Sequence, residues 1–373
     1  MKYFVFLFLA TSVSARFTDD VYQILAKEDA DKNIISSPLS LEIVMAMVYM
    51  GAKGNTAKEM QTVLKLPEDR KEVAKKYRDF FTNLHNRERV AILELANRIY
   101  VNDNKKLLPE FNKIVADSFK AEAVPISVLN PKSAAATINS WVSENTRKKI
   151  TEIINPGDID MYLIAVLINA IYFKGEWKYA FNKTYTKKKI FRTSNQELQV
   201  DMMSLKGKFK ANAFADLDAK VLELPYRNSS LSMQIFLPNS ISGLSKLESQ
   251  IGGFDRALRE QDVYVEIPKF KIEFEKQLVK VLQKLGIKSV FEETADLSGM
   301  VSEGARVSKV LQKAFLEVNE EGAEASAATA GIVKGLSLCV GCETTMRFTA
   351  DHPFAFLIRD EKTIYFQGHF VKP

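Results

Sequence analysis

From Gly322 to Gly331 the chain reads Gly-Ala-Glu-Ala-Ser-Ala-Ala-Thr-Ala-Gly, without one bulky side chain. So small a run offers too little apolar area to offset the entropy lost on ordering its backbone. A flexible surface linker is one reading of it. Its alternation supports another. Drawn as a strand, it sets Ala323, Ala325, Ala327 and Thr329 on one face and Glu324, Ser326 and Ala328 on the other. The run also follows closely on a strand-like segment, Ala314–Val318. A small, alternating continuation of a strand can be loose in one state and slide into a sheet interior in another. The chain must then build a sheet with a place for a strand that it does not yet contain.

Asn33-Ile34-Ile35-Ser36-Ser37-Pro38-Leu39-Ser40 lies near the start of the chain. Trp141 to Thr146 with Lys149-Ile150, then Asn169 to Trp177, Ile267-Pro268-Lys269-Phe270, Ala295 to Met300 and Phe348 to Phe354 follow in turn. Each is weak alone. In this order and at these separations they resemble the serpins, and in particular secreted insect-type inhibitory serpins. The resemblance covers the whole chain. It implies an α+β fold with three β-sheets, the large central one mostly antiparallel, eight or nine helices, and an exposed reactive-centre loop spanning roughly 320–347. It also implies a single domain over 16–373.

By the same resemblance, Gly322, Ala323, Glu324, Ala325, Ser326, Ala327, Ala328 and Thr329 form the hinge of that loop. Ser37, Ser40 and Asn169 match a hydrogen-bonded cluster beneath the main sheet, the shutter. Many serpins complete it with a His where this chain has Gln312, which can still donate and accept. Trp177, Lys269 and Glu320 match the breach, where the loop enters the sheet, and a partly buried Lys269–Glu320 salt bridge is expected there. Counting Gly322 as one, the reactive bond follows the fifteenth residue and joins Leu336 to Ser337. Lys334 is an alternative, and counting back from Phe348 gives Leu338 or Cys339.

Leu336 suits the hydrophobic pocket of a chymotrypsin-like or elastase-like serine protease. The implied function is suicide-substrate inhibition of such an extracellular enzyme, by loop cleavage, acyl-enzyme formation and strand insertion. A trypsin-like or a cathepsin-type cysteine protease is the alternative target. A non-inhibitory carrier or storage serpin is the alternative function, and the small residues at Ala323, Ala325, Ala327 and Thr329 argue against it.

Lys2, the apolar segment Tyr3–Ala10 and the small residues Val13-Ser14-Ala15 form a secretory signal over residues 1–15. No run elsewhere approaches the length needed to span a bilayer. In an extracellular chain, Asn182-Lys183-Thr184 and Asn228-Ser229-Ser230 are glycosylation sequons. Cys339 and Cys342, the only cysteines, read as two free thiols or as a short local disulfide. One such pair makes a poor zinc site. None of the three histidines neighbours another, and no nucleophile elbow, phosphate loop or dinucleotide fingerprint occurs. The expectation is no enzyme, no metal and no cofactor.

A net charge of +6 over 373 residues does not demand nucleic acid. The basic clusters Lys71/Lys75/Lys76/Arg78, Arg147-Lys148-Lys149 and Lys187-Lys188-Lys189 read first as solvated faces, and second as weak glycosaminoglycan contacts. The expected partner is a protease held covalently by a monomer, with neither nucleic acid nor membrane.

Periodicity places the other elements. Leu163 to Phe173 is apolar almost throughout, as in a strand buried on both faces, and its one amide, Asn169, must find partners there. Val263 to Phe274 alternates as a strand. Glu275–Leu285 and Gly243–Leu258 read as helices, the second interrupted at Gly252-Gly253. Thr56 and Glu59 have the capping-box spacing of a helix start. The helix over Lys132–Thr146 is expected to turn Ile138, Trp141 and Val142 inward.

Overall fold

The computed structural model describes residues 6–87, 92–322 and 345–373. It begins with α1 (Phe6–Glu28), β1 (Ile34–Ser36) and α2 (Pro38–Gly51). Ser37 caps α2 by accepting the Ser40 amide at 3.2 Å, and Pro38 fills the first helical position, where no amide is needed. Every residue of α2 is buried, so this helix is apolar nearly all round and runs through the middle of the molecule. Then come α3 (Gly54–Leu64), α4 (Arg70–Arg87), β2 (Ile92–Asn102), α5 (Pro109–Phe119), β3 (Glu122–Ile126), α6 (Pro131–Asn145) and β4 (Ala165–Lys174).

The next stretch is mostly sheet: β5 (Lys187–Arg192), β6 (Glu197–Phe214), β7 (Ala219–Pro225) and β8 (Ser232–Pro238). After α7 (Leu244–Glu248) follow β9 (Arg259–Pro268), β10 (Phe270–Gln277), α8 (Val279–Lys284) and β11 (Val307–Val318). The chain closes with β12 (Met346–Thr349), β13 (Phe354–Arg359) and β14 (Ile364–Phe370). The eight α-helices among the described residues and the mixed sheets give the expected α+β class.

Among the described residues, hydrogen bonds join the strands into two sheets, where three were expected. A nine-stranded sheet runs β1-β14-β13-β8-β7-β6-β9-β12, with β5 also on β6. It is antiparallel except where β12 pairs with β9. Long strand β6 causes the merger, because it bonds β9 along Met202–Ala211 and β7 along Lys210–Phe214. The second sheet has five strands in the order β10-β11-β4-β2-β3. Its central pair, β11 and β4, is parallel. Side chains of β4 alternate between two cores: Leu167 and Ile171 pack toward α2, Ile168 and Ala170 toward α6. Strand β4 is thus buried on both faces, whereas edge strand β10 alternates buried and exposed residues.

Three local expectations fail for physical reasons. Glu275–Gln277 is strand, because these residues continue the ladder of β10 opposite Lys313, Gln312 and Leu311, and the pairing overrides helix propensity. The alternating run from Val263 is two strands in two sheets, separated at Lys269, whose amide bonds the Asp201 carbonyl at 2.8 Å. Helix α7 stops at Glu248, well before Gly253, which adopts φ +64. Thr56 and Glu59 also form no box. Thr56 lies inside α3 and accepts the Asp296 amide at 3.0 Å, while the Glu59 carboxylate accepts the amides of Lys288 and Ser289, both at 2.8 Å. Ile138 and Val142 are buried as expected; Trp141 is half-buried under the Arg98 guanidinium, 4.4 Å from its ring.

Candidate functional site

Three adjacent strands of the five-stranded sheet carry an amide side chain at the same level. Asn97 on β2 is in register with Asn169 on β4, and Asn169 with Gln312 on β11. All three are buried, where amides call for hydrogen-bond partners; Asn97 Nδ2 finds none among the described residues. Gln312 donates through Nε2 to Asn169 Oδ1 at 2.6 Å and to the Ser37 carbonyl at 3.0 Å. Its Oε1 accepts from the Ser36 hydroxyl at 2.6 Å. Asn169 Nδ2 in turn donates to Ser40 Oγ and to Asn97 Oδ1. The start of α2 thus lies under the sheet as a polar floor, and the row ties three strands to it. Ser37, Ser40, Asn169 and Gln312 meet here. Sequence reasoning missed Ser36 and Asn97; the amide of Asn97 interrupting the apolar alternation of β2 was the available signal.

At the far end of β11 the chain reverses in a tight turn, with Asn319 and Gly322 exchanging backbone hydrogen bonds at 3.1 and 3.3 Å. Gly322 takes φ +107, and a Cβ there would fall 2.2 Å from the Gly175 carbonyl, so only glycine fits. The segment after β4 grips this turn. Trp177 donates its indole N–H to the Asn319 carbonyl at 2.9 Å and its amide to the Glu321 carbonyl at 3.0 Å, while the Phe181 amide reaches the Glu320 carbonyl at 2.8 Å. The Trp177 ring is stacked on Tyr226 at 4.7 Å.

Glu320 is buried, and Lys269 Nζ lies 3.1 Å from its carboxylate. The Thr186 hydroxyl donates to the same carboxylate at 2.8 Å. Burial alone raises the pKa of this carboxyl. Hydrogen bonds from its own amide, Thr186 and Lys269, with the Lys269 charge, outweigh burial and hold it below the ordinary glutamate value. A second ion pair, Lys183–Glu321 at 2.6 Å, was not anticipated. Lys269 stands at the crossover between the two sheets, which explains how one lysine on the β9–β10 connection reaches the end of β11.

On the return side, β12 is held at the end of the nine-stranded sheet. Buried Glu266 of β9 faces Thr349 of β12 and accepts its hydroxyl at 3.1 Å. It also accepts from Lys189 Nζ and, at 3.2 Å, from the Tyr264 hydroxyl. Burial raises this carboxyl too, and these partners bring it below its ordinary value. The turn Asn319–Gly322 and strand β12 therefore define two anchors of the segment between them.

Ala323, Glu324, Ala325, Ser326, Ala327, Ala328, Thr329, Lys334, Leu336, Ser337, Leu338, Cys339 and Cys342 lie outside the described residues. Asn182 and Asn228 are both exposed. Among the described residues no group of His, Cys, Asp and Glu is arranged to hold a metal, and no helix is long and apolar enough to cross a membrane.

The comparisons agree with this architecture. The family model described as Serpin (serine protease inhibitor) matches residues 12–373. The chain belongs to the serpin family. This serpin is 48% identical to Serine protease inhibitor 42Dd of Drosophila melanogaster, covering 100% of both chains. It is 37% identical to the human leukocyte elastase inhibitor, over 97% of this chain and 99% of that protein. The crystal structure of Serpin48 of Tenebrio molitor superposes with a TM-score of 0.89 at 34% identity, covering 97% of this serpin and 98% of that chain.

Proposed function

We propose that this serpin is secreted, after loss of residues 1–15, as a single-domain monomer. It inhibits an extracellular serine protease of chymotrypsin-like or elastase-like type as a suicide substrate. The observation that carries the reading is the parallel β11–β4 pair at the centre of the five-stranded sheet, next to a turn that leads into the small-residue run. A strand returning from Gly322 between β11 and β4 would be antiparallel to both. One parallel ladder, slightly weaker per residue, would give way to two antiparallel ones. Ala323, Ala325, Ala327 and Thr329 supply the small side chains that such a crowded site accepts.

In this mechanism the protease serine attacks the Leu336 carbonyl, the Leu336–Ser337 bond breaks, and the amine of Ser337 leaves. The resulting ester links the enzyme to Leu336. Hinge insertion then carries the acylated enzyme across the molecule before water can release it. The uncleaved fold is a kinetic trap, whose lifetime depends on the polar row and the Trp177 clamp. That a relative with 37% identity is a leukocyte elastase inhibitor supports the elastase-like class.

The test is incubation with a protease panel, followed by denaturing gels and mass spectrometry of the released fragment. A covalent complex with a fragment beginning at Ser337 is the expected result. Clean loop cleavage without a complex overturns inhibition, and a fragment beginning at Gly335 or Cys339 overturns the reactive bond.

A further inference from the structure

One sequon stands on a loop bonded to the Asn319–Gly322 turn, the other on a loop bonded to Glu176, the residue bridged to that turn. Phe181, the neighbour of Asn182, donates its amide to the Glu320 carbonyl, and Lys183, within the sequon, pairs with Glu321 at 2.6 Å. Arg227, the neighbour of Asn228, donates its amide to the Glu176 carbonyl at 2.6 Å, and its guanidinium lies 3.2 Å from the Glu176 carboxylate. Glu176 is itself bridged to Gly322. Each acceptor asparagine is therefore one residue from a group that bonds the Asn319–Gly322 turn or its bridged partner.

Both asparagines are also presented for modification. Asn182 is exposed, and its Oδ1 accepts the Thr184 amide at 2.9 Å and the Thr184 hydroxyl at 2.8 Å, leaving Nδ2 to solvent. Asn228 is exposed in the β7–β8 connection, at φ +47, a conformation that asparagine tolerates.

We propose that Asn182 and Asn228 both carry N-linked glycans, and that the pair shields the Asn319–Gly322 turn from the loop of a second copy of this chain. The inference rests on the readings that the chain is secreted and that its loop inserts. Modification joins asparagine Nδ2 to C1 of an oligosaccharide carried on a lipid pyrophosphate. The C1–O bond breaks, the lipid pyrophosphate leaves, and the amide loses one proton.

A second copy is the relevant intruder because the run that suits a place between β11 and β4 is the chain's own Gly322–Gly331. A copy must approach this turn from solvent and meet the excluded volume of both glycans. The molecule's own run is joined covalently to the turn at Gly322, so it does not have to approach the turn from outside. The glycans thus oppose self-association without opposing the molecule's own insertion.

The experiment expresses the full chain, with its own leader, in eukaryotic cells as wild type, Asn182→Gln, Asn228→Gln and the double variant. Secreted wild type should lose mass at both sites on treatment with peptide N-glycosidase. On warming, the double variant should form oligomers several-fold faster than wild type, with an unchanged unimolecular unfolding rate in urea. Wild type deglycosylated after folding should behave as the double variant does, which covers the case in which the variant does not fold. Secretion without glycan at both sites overturns this proposal alone, whereas retention of an unglycosylated chain in the cell overturns the secretion reading and the proposal with it. Equal oligomerisation rates, or unfolding accelerated as much as oligomerisation, overturn the shielding role.

Discussion

Gln312 faces Asn169 across the parallel β11–β4 pair and donates its side-chain amide to the Asn169 carbonyl oxygen at 2.6 Å. The bond crosses the seam that a new strand would have to open. Gln312 is also anchored below, through Ser36 and Ser37, so separating the two strands there disturbs several buried hydrogen bonds together.

Gln312→Ala should therefore weaken the seam. It leaves Asn169 Oδ1 and the Ser36 hydroxyl short of a partner, at a cost of ~1–3 kcal/mol for a buried group. Thermal unfolding should begin at a lower temperature and unfolding in urea should be faster. Gln312→His, which keeps a donor and an acceptor, should lie between alanine and wild type. An alanine variant that matches wild type in both measurements contradicts a role for this residue in closing the sheet.

Acid should loosen the clamp at the end of β11. The folded-state pKa of Glu320 lies below the ordinary value of 4.5. Its contribution to stability is full above the unfolded value and is lost as pH falls through the folded one. The chain has two tryptophans, Trp141 and Trp177, so a Trp141→Phe background leaves Trp177 as sole reporter beside the turn. Its emission should change on acidification, and Glu320→Gln should remove most of that change. Retention of the same acid transition in Glu320→Gln would assign it to another carboxylate.

Much of this site was legible because its residues break local patterns. Asn169 is the one amide in an apolar strand, and the small run after Gly322 is too poor in surface to be ordinary core. Asn97 was less visible: its amide interrupts the apolar face of Leu93, Leu95, Ile99 and Val101, but the partner that it meets, Asn169, is known only once β4 is laid beside β2. The strand character of Glu275–Gln277 was also hidden, because it comes from pairing with β11, a partner distant in sequence. The merger of sheets by β6 depends on where one long strand changes partners, which periodicity within that strand does not report.

Gly322→Ala tests the turn itself. The substitution forces an L-residue to φ +107 and sets its Cβ 2.2 Å from the Gly175 carbonyl. Left-handed strain alone costs ~1 kcal/mol or more, and the contact with backbone adds to it. Denaturant unfolding should show a lower midpoint, and amides of Asn319–Gly322 and Trp177 should exchange faster. A variant with wild-type midpoint and exchange would mean that the turn relaxes freely.

The hinge reading predicts that Ala325→Arg or Ala327→Glu converts inhibitor to substrate. A charge carried between two strands into a sheet interior is costly unless paired. Acylation would proceed, insertion would stall, and deacylation would win. The measured quantity is the number of protease molecules trapped per inhibitor, which should fall sharply. Wild-type stoichiometry in either variant is incompatible with insertion of this segment.

The last prediction concerns the return strand. β12 has four residues and, among the described residues, pairs with β9 alone, so its described backbone ladder is short. Glu266 compensates by accepting the Thr349 hydroxyl, with its carboxylate fixed in place by Lys189 and Tyr264. Lys189 is substantially exposed, so solvent screens the ion pair and the tether to Thr349 matters more for β12. Glu266→Ala removes every bond of the carboxylate, whereas Glu266→Gln keeps an oxygen that can still accept from Thr349. Hydrogen exchange at Met346–Thr349 should accordingly be fastest in alanine, intermediate in glutamine and slowest in wild type, with β13 and β14 little changed. Equal exchange in all three would show that the backbone ladder holds β12 without this side chain.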